Sequence, residues 1–353
     1  MVRRGEVSPP AFGASRRKCR AAVAAVVAVF AIVVAACAPA PPLGTVNLQT
    51  PQAPIWPVLA DPSVLTANSQ YYVFGSNTDT MHVPLHVVTS LTQTYTISEW
   101  DAIAHDAMPS LPSWAVNNSV WAPTVARFGG TYVMFFAANR VNAPQPANAQ
   151  CIGRATSAVP QGPYTPEGTP YSCGIEGVGG ALDPQIFIGP NGNGVLYAAF
   201  SDTEKPIHLM LLDANGNNER GPNGLAGYWP FPPFGKKYGW EGAFMENPAV
   251  VYDASTKTYV IAYSAGDWAS GSYSTGLARC ALLSGLCAQS AAGPWLASGN
   301  GRTGTGGLSF FTALDGSLKA VYASFTGENI GPFAIRGGTV ASVTLGNTPA
   351  LSP

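Results

Sequence analysis

Four proline motifs recur along the chain at nearly constant intervals. The prolines at positions 62, 123, 184 and 248 are separated by 61, 61 and 64 residues. Each is followed by an apolar stretch, a small turn and an aromatic run, as in Tyr71–Phe74 and Tyr132–Phe136. A fifth unit without proline keeps the step, because Gly304–Gly307 leads through a turn into Val321–Phe325. Self-similar units with two or more strands each predict the blades of a β-propeller.

The composition fits one such domain. Five units of about 60 residues account for nearly all of the chain after its N-terminus. The apolar fraction of 46% can fill a large core, and 39 glycines and 31 prolines suit short strands and tight turns. No stretch after residue 40 has a long helical period. We therefore expect an all-β fold, a single five-bladed β-propeller over residues 58–353, with almost no helix.

The first 37 residues have the features of a bacterial export signal. Six basic residues precede an apolar run of 16 residues, Ala21–Ala36. That run is short for a spanning helix, which needs roughly 20 residues, and it matches the apolar core of a signal peptide. It ends in Val34–Cys37, which resembles the lipobox whose cysteine becomes the lipidated first residue. The alternative is a plain secretory signal cleaved nearby, with no role for Cys37.

Residues 38–57 are rich in proline and predict an extended tether that holds the domain off the membrane. Leader and tether together predict an exported protein, lipid-anchored to the outer face of the bacterial cell membrane or otherwise secreted. The leader carries six basic residues and one acid, and the whole chain has a net charge of −1, so the mature part is near −6. Because the chain has no basic patch, we expect no nucleic-acid partner.

The cysteines agree with export. Apart from Cys19 and Cys37, the chain has four: Cys151, Cys173, Cys280 and Cys287. An even number in an oxidising compartment indicates disulfides. Local pairing, Cys151–Cys173 and Cys280–Cys287, is the simplest of the three connectivities, because each pair falls within one predicted blade. Zinc is the alternative, but none of the four histidines is spaced with a cysteine as a ligand pair.

Carboxylates stand in register with the repeat. The innermost strand of each propeller blade runs along the central axis, so equivalent positions face a common point. Nearly equivalent positions in blades one to four hold Asp61, Trp121, Asp183 and Glu246. Carboxylates gathered in a confined site raise one another's pKa, which is unfavourable without a function. The plainer alternative is that Asp-Pro and Asn-Pro pairs only start strands, since such pairs favour turns.

Two or three carboxyl groups that face one pocket suit the hydrolysis of a glycosidic bond. One must be protonated to donate to the leaving oxygen, and another must be ionised to activate water or attack the sugar. Mutual repulsion separates their pKa values as this chemistry requires. A third carboxylate can keep the acid protonated and aligned.

These residues resemble glycoside hydrolase family 43, five-bladed propellers that act on arabinose- and xylose-containing polysaccharides. The resemblance covers roughly Ala60 to Leu345. It rests on five motifs in order: Ala60–Val64, Trp121–Pro123 with Gly129–Tyr132, Gly153–Ser157, Leu182–Phe187, and Glu246–Val250 with Tyr263–Gly266. The resemblance implies an inverting single displacement in which Asp61 is the general base, Asp183 tunes the acid and Glu246 is the acid. A polysaccharide or oligosaccharide substrate and a monomer are expected.

Blade five departs from the family pattern. Many members carry Gly-Pro-Gly-His there, with the histidine in the central channel near a metal or water, whereas this chain has Gly304–Gly307. Because the family histidine is absent, we predict no cofactor and no metal, and calcium in the central channel is the alternative. The Tyr-His pair often seen later in the blade is Tyr322-Ala323 here. The chain thus resembles a divergent branch, and its substrate cannot be copied from well-known members.

Two further residues are candidate substrate contacts. Trp121 stands in register with the acids, and it either stacks on a sugar ring or packs the blade interface. Glu241 lies five residues before Glu246 and is a rival for the acid; because it falls in the predicted loop entering blade four, a substrate contact is the better interpretation. The competing function is a non-catalytic propeller that binds glycans or an envelope protein through the same channel.

Overall fold

The computed structural model describes residues 47–143, 149–173, 180–189, 194–200, 207–217, 234–282, 287–290 and 293–353. The predicted signal at 1–37, with Cys37, and the tether up to residue 46 lie outside the described residues. In the part of the chain that is described, no helix has the length and apolar character needed to cross a membrane.

Within the described residues, five antiparallel sheets form from strands consecutive in sequence. Blade one holds β1 (Ser63–Ala67), β2 (Gln70–Phe74), β3 (Pro84–Val88) and β4 (Ala104–Asp106). Blade two holds β5 (Ala115–Phe128), β6 (Thr131–Arg140), β7 (Gln150–Ser157) and β8 (Thr165–Pro166). Blade three holds β9 (Ala181–Ile188), β10 (Gly194–Phe200) and β11 (Ile207–Leu211).

Blade four holds β12 (Phe244–Asp253), β13 (Thr258–Gly266), β14 (Ser274–Cys280) and β15 (Cys287–Gln289). Blade five holds β16 (Thr303–Thr312), β17 (Leu318–Phe325), β18 (Arg336–Thr344) and β19 (Ala350–Ser352). The first strand of each blade contacts the first strand of the next, and β16 contacts β1, so the ring is closed. The prediction of an all-β, five-bladed propeller is confirmed.

The aromatic runs found in the sequence are the second strands, and their alternating side chains fill the spaces between blades. In β2, Tyr72 and Phe74 join the apolar cluster shared with blade two, whereas Tyr71 and Val73 join the cluster shared with blade five. Similar clusters lie between blades two and three, three and four, and four and five. Burial of both faces explains why these strands are apolar without interruption.

Helix is almost absent from the described residues, as expected. A short α-helix, α1, spans Ile97–Ala102, and a three-residue 3-10 helix spans Gly239–Glu241. Thr96 and Glu99 form a capping box at the start of α1: the Thr96 hydroxyl accepts from the Glu99 N–H, and the Glu99 carboxylate accepts from the Thr96 N–H. The helix carries buried Trp100, whose Nε1 donates to the Val58 carbonyl at 2.9 Å.

The segment before β1 packs against blade five. Ile55 and Trp56 donate backbone hydrogen bonds to the Gly338 carbonyl, and Leu59 donates to the Arg336 carbonyl at 2.7 Å. Trp56 is fully buried. The folded domain therefore includes residues that the sequence assigned to the tether, which ended at residue 57 in that interpretation.

The described residues form two disulfides, with the local pairing expected from the sequence. Cys151–Cys173 joins β7 to the segment after β8, and Cys280–Cys287 joins β14 to β15. The separations are 22 and 7 residues. A longer closed loop removes more entropy from the unfolded chain, so the first disulfide constrains that chain more.

We expect a Cys151→Ser/Cys173→Ser variant to lose about 3 kcal/mol of unfolding free energy, and a Cys280→Ser/Cys287→Ser variant about 1 kcal/mol less than that. Urea unfolding of the non-reduced domain measures both losses. Titration of free thiols in the unfolded wild type should find none from these four residues. Four titratable thiols, with stability that falls on chelation, would favour zinc instead.

Candidate active site

The inner strands of blades two to five carry the same β-bulge. In blade two Trp121 pairs with Ala137 and Thr124 with Phe135, so Ala122 and Pro123 together oppose one residue. Residues 183–184, 247–248 and 307–308 repeat this two-against-one arrangement. Blade one has the same arrangement at residues 61–62, because the Ala60 carbonyl accepts from the Ser76 N–H at 3.0 Å and Ser63 pairs with Phe74. The repeated proline is the second residue of this bulge.

The first residue of every bulge has a left-handed backbone. The φ angles are 44°, 45°, 56°, 48° and 61° for Asp61, Ala122, Asp183, Asn247 and Gly307. These five residues are therefore the equivalent positions of the five blades. Trp121 and Glu246, which the sequence set nearly level with Asp61, lie one residue earlier. Asp and Asn tolerate left-handed backbone better than most residues, and Gly adopts it freely.

The bulges surround the central channel. It is lined by residues 61–63, 122–123, 183–185, 247–248 and 307–309, so all five blades contribute. Backbone N–H groups of the bulges reach polar side chains of the preceding blade: Ala122 to Ser76 Oγ at 3.0 Å, Asn247 to Asp183 Oδ2 at 3.2 Å, and Gly307 to Ser264 Oγ at 2.9 Å. The bulge thus fixes both the channel wall and the contact between neighbouring blades.

Asp61 is held by two hydrogen-bond donors. The Ser76 hydroxyl donates to Oδ2 at 2.6 Å, and the Asn247 side-chain amide donates to Oδ1 at 3.3 Å. Because Ser76 Oγ already accepts the Ala122 N–H, its own proton is directed at Asp61. On the opposite side, a Cβ at Gly307 would lie 3.2 Å from Oδ1, so glycine leaves room for the carboxylate.

Asp183 has a different environment. It is only 7% exposed. Burial raises the pKa of Asp183 well above its usual range, and the negative charges of Glu246 and Asp61 raise it further. The Asn247 backbone N–H, which donates to Oδ2, acts in the opposite direction but is outweighed.

Glu246 has a pKa suited to a proton donor at neutral pH. Burial raises the pKa of Glu246 to about 7, and the charges of Asp61 and Asp267 add to the rise. The Tyr273 hydroxyl, which donates to Oε1 at 2.8 Å, and the Arg336 guanidinium work against it. A general acid is most effective when its pKa lies near the working pH.

Tyr273 is packed tightly beside Glu246. It is buried, and any Cβ at Gly306 would overlap its ring. The Arg336 guanidinium lies 5.4 Å from the Tyr273 ring centroid and 4.4 Å from that of Phe325, and it donates to the Trp268 carbonyl. The position of the phenol is therefore fixed from two sides.

The two predicted substrate contacts differ in their surroundings. Trp121 is partly exposed and lies one residue before its bulge, at the position equivalent to Glu246. Glu241, in contrast, is fully buried, and all its contacts are internal. Its carboxylate accepts from the Lys237 and Tyr238 N–H groups, from the Tyr263 hydroxyl at 2.8 Å and from Gln289 Nε2 at 2.7 Å. Substrate contact was the wrong interpretation of Glu241, because its accepting positions are occupied by the loop and sheet around it.

Among the residues that the structure describes, no three or more His, Cys, Asp or Glu side chains come together as ligands. The blade-five position at which many relatives place a histidine holds Gly304–Gly307. That the channel binds no metal stays a prediction.

The site also contains residues that the sequence analysis missed. Asn247 belongs to a repeated motif, but the sequence does not show that its side-chain amide faces the channel. That orientation results from the bulge. Ser76 could have been found by noting that it follows an aromatic run, as Ser264 does. No sequence pattern marked Tyr273 or Arg336 as a site residue, because they come from loop and strand ends outside the repeated motif.

The raised pKa of Glu246 has a consequence for stability. A carboxyl whose pKa is higher in the folded protein than in the unfolded chain stabilises the fold at low pH and loses that contribution as pH rises through the folded value. For Glu246 the window runs from about 4.5 to about 7. We expect Glu246→Gln to match the wild type at pH 4 and to exceed it at pH 8 by roughly 1–3 kcal/mol.

Urea unfolding at the two pH values measures the difference. Glu99→Gln is the matched control, because the Thr96 N–H lowers the pKa of Glu99 and the substitution should destabilise the fold at pH 8. A Glu246→Gln variant that is no more stable than the wild type at pH 8 would contradict the raised pKa.

Comparison with known proteins gives one matching family model, "Glycosyl hydrolases family 43", over residues 51–338. An extracellular endo-α-(1→5)-L-arabinanase of Thermotoga petrophila is 29% identical over 245 residues, which cover 60% of this chain and 46% of that protein. An arabinoxylan arabinofuranohydrolase of Bacillus subtilis is 28% identical over 167 residues, covering 39% of this chain and 30% of that protein. The chain thus spans less than half the length of these curated relatives.

Solved structures support the fold. A thermostable family-43 glycoside hydrolase superposes with a TM-score of 0.68 at 21% identity, covering 87% of this chain and 96% of that one. An α-L-arabinofuranosidase from Lactobacillus brevis gives a TM-score of 0.67 at 19% identity, covering 84% and 94%.

Proposed function

The chain belongs to glycosyl hydrolases family 43, and we propose that it hydrolyses glycosidic bonds in polysaccharides that contain arabinose or xylose. The observation that carries the proposal is the contrast between Asp61 and Glu246 within one hydrogen-bonded cluster. Asp61 accepts hydrogen bonds from Ser76 and Asn247, whereas burial raises the pKa of Glu246 to about 7. Glycosidic hydrolysis requires two such carboxyl groups, one held as an acceptor for the proton of water and one able to donate a proton.

The proposed reaction is a single displacement. Ionised Asp61 takes a proton from a water molecule as the water oxygen forms a bond to the anomeric carbon. The bond from that carbon to the leaving oxygen breaks, and Glu246 supplies the proton that the leaving oxygen needs. Because Oε1 of Glu246 accepts the Tyr273 hydroxyl at 2.8 Å, the acid proton belongs on Oε2. After this step Asp61 carries a proton and Glu246 has lost one. Both carboxyl groups exchange protons with solvent before the next cycle.

Asp183 is assigned to the tuning of Glu246. The two carboxyls repel each other when both are ionised, so ionisation of one raises the pKa of the other; in the proposed state Asp183 carries the charge and Glu246 keeps the proton. The Asn247 N–H, which donates to Oδ2 at 3.2 Å, holds the buried Asp183 carboxyl in a fixed orientation.

The hydrogen-bonded path between the working carboxyls is compatible with inversion. It runs 3.3 Å from Asp61 Oδ1 to Asn247 Nδ2, 3.0 Å to Tyr273 Oη and 2.8 Å to Glu246 Oε1. The two carboxyl oxygens can be no farther apart than the total of these legs, about 9 Å. Inverting enzymes hold their carboxyls roughly 6.5–9.5 Å apart, which leaves room for the attacking water.

The substrate class follows the relatives. One is named as an endo-α-(1→5)-L-arabinanase and the other as an arabinoxylan arabinofuranohydrolase. Arabinan and arabinoxylan are therefore the first substrates to test. Trp121, partly exposed beside the bulge of blade two, is proposed to contact the sugar.

The decisive experiment incubates the domain from residue 45 onward with arabinan, arabinoxylan, xylan and galactofuranose-containing glycans. We expect sugar release by the wild type. Loss of a general acid or base typically costs roughly 10²–10⁴-fold, so Asp61→Asn and Glu246→Gln should lose about that much turnover while staying folded. Asp315→Asn, in the exposed turn between β16 and β17, is the matched control and should keep full activity.

Proton NMR of the first product reports its anomeric configuration, which should be inverted. A retained configuration would overturn the single displacement. Glycan binding without any release, by folded wild type, would favour the non-catalytic propeller.

We also propose export followed by lipidation of Cys37. The relative named as an arabinanase is an extracellular protein by name, and Val34–Cys37 resembles a lipobox. Expressed from residue 1 in a bacterium, the wild type should sediment with the membrane and Cys37→Ser should not. Mass spectrometry of the mature N-terminus should find a diacylglycerol-modified Cys37. An unmodified N-terminus in the culture medium would show a plain secretory signal.

A further inference from the structure

We propose that Asn247 is a positioning residue that couples the two working carboxyls: it orients Asp61 directly and Glu246 through Tyr273. The inference rests on the proposed function, because it assigns Asn247 a role in that reaction. Asn247 lies between the acid and the proline in the motif of blade four, and the sequence analysis assigned it no role.

The contacts of Asn247 reach all three carboxyl groups. Its backbone N–H donates to Asp183 Oδ2 at 3.2 Å. Its side-chain nitrogen donates to Asp61 Oδ1 at 3.3 Å and to Tyr273 Oη at 3.0 Å. The Tyr273 hydroxyl then donates to Glu246 Oε1 at 2.8 Å. A single residue thus connects base, tuning carboxyl and acid.

The direction of these hydrogen bonds is fixed by chemistry. An ionised carboxylate only accepts, so the amide must present its nitrogen to Asp61, and its second hydrogen is then available for Tyr273. Tyr273 has one proton, and because its oxygen accepts from Asn247, that proton goes to Glu246. Glu246 Oε1 is thereby occupied, which leaves Oε2 for the transferable proton. Asn247 therefore sets the face from which Glu246 can donate.

Backbone conformation restricts what can stand at this position. With φ at 48°, only glycine, asparagine and aspartate are readily accommodated. Glycine has no side-chain donor, and ionised aspartate has acceptors only. Asparagine is the one residue of the three that can both adopt this backbone and donate to two partners.

The charges around the acid make the neutral amide important. Glu246 faces Asp61 before β1, Asp183 on β9, Asp267 and Tyr273 in the β13–β14 connection, and Arg336 at the start of β18. Arg336 is the only cation among them. An aspartate at 247 would add a further carboxylate to three that already repel one another.

The test compares Asn247→Gly and Asn247→Asp with the wild type. Both substitutions keep a residue that tolerates the backbone, and both remove the amide donor. On the glycan that the wild type cleaves best, we expect kcat to fall roughly 10- to 100-fold with KM changed less than about threefold. Because Tyr273 loses the amide that directs its proton to Glu246, the pKa of Glu246 should rise and the basic limb of the kcat/KM profile should move upward.

Asn68→Gly and Asn68→Asp are the matched controls. Asn68 has a left-handed backbone with φ at 49°, but it is exposed in the turn between β1 and β2. Its variants should keep the wild-type kcat and pH profile. Equal losses at positions 68 and 247, or losses at 247 with an unmoved pH profile, would reduce Asn247 to a structural residue and overturn the inference.

A titration that needs no substrate separates this inference from the proposed function. In protein labelled with ¹³C at glutamate carboxyls, the Glu246 resonance is the one missing from Glu246→Gln. Its midpoint should rise in Asn247→Gly, which removes the amide donor without adding a charge. If the wild type is inactive, the proposed function fails, but a shifted Glu246 midpoint would still establish that Asn247 is coupled to Glu246. If the midpoint does not change, that coupling is overturned, whatever the activity of the enzyme.

Tyr273→Phe breaks the hydrogen-bonded path from Asn247 to Glu246 at its other end. This variant tests the inference if either Asn247 variant unfolds. Because the Tyr273 hydroxyl lowers the pKa of Glu246, its loss should raise the Glu246 midpoint and the basic limb of the rate profile. Residues on one path are not independent, so the Asn247→Gly/Tyr273→Phe double variant should lose less than the product of the single losses. Multiplicative losses would show two separate roles and contradict the relay.

Discussion

The left-handed bulge on each inner strand is the constraint on which the site depends. A regular strand alternates its side chains between the two neighbouring blades and gives none to the axis. One extra residue in left-handed conformation interrupts this alternation and brings that residue to the channel. The same bulge presents a free N–H group to the preceding blade, as with Asn247 and Asp183. Fold closure and site assembly therefore use one backbone feature repeated five times.

This constraint explains the residues found at the five equivalent positions. Asp61, Asp183 and Asn247 are polar residues that tolerate left-handed backbone, and each takes part in the hydrogen-bonded cluster. Gly307 is required both by its φ of 61° and by the nearby Asp61 carboxylate. Ala122 contributes a small side chain to the channel wall at a backbone cost of about 1 kcal/mol. Blade two thereby leaves space on its side of the channel.

The fold could be predicted from the sequence because proline follows the bulge in four blades and the aromatic second strands keep the same distance. Asp61 and Asp183 were found for the same reason. The exact register of the inner strands could not be predicted from the sequence. Trp121 and Glu246 each lie one position before the bulge residue, which only the strand pairing reveals. Tyr273 is 27 residues from Glu246 in sequence and lies outside the repeat. Glu241 was misjudged because a loop position suggested exposure, whereas four internal donors hold it in the interior.

Burial gives the cluster its chemistry and also makes it unfavourable for the fold. Water would stabilise the ionised forms of Asp183 and Glu246, so removing it raises both pKa values and weakens the folded state at neutral pH. The apolar clusters between all five pairs of blades offset this cost, because they bury aromatic side chains around the whole ring. A neutral amide at Asn247 limits the repulsion that remains, since it donates to Asp61 without adding charge. The neutral amide of Asn247 therefore lets the propeller hold three carboxyls close together without a fourth charge among them.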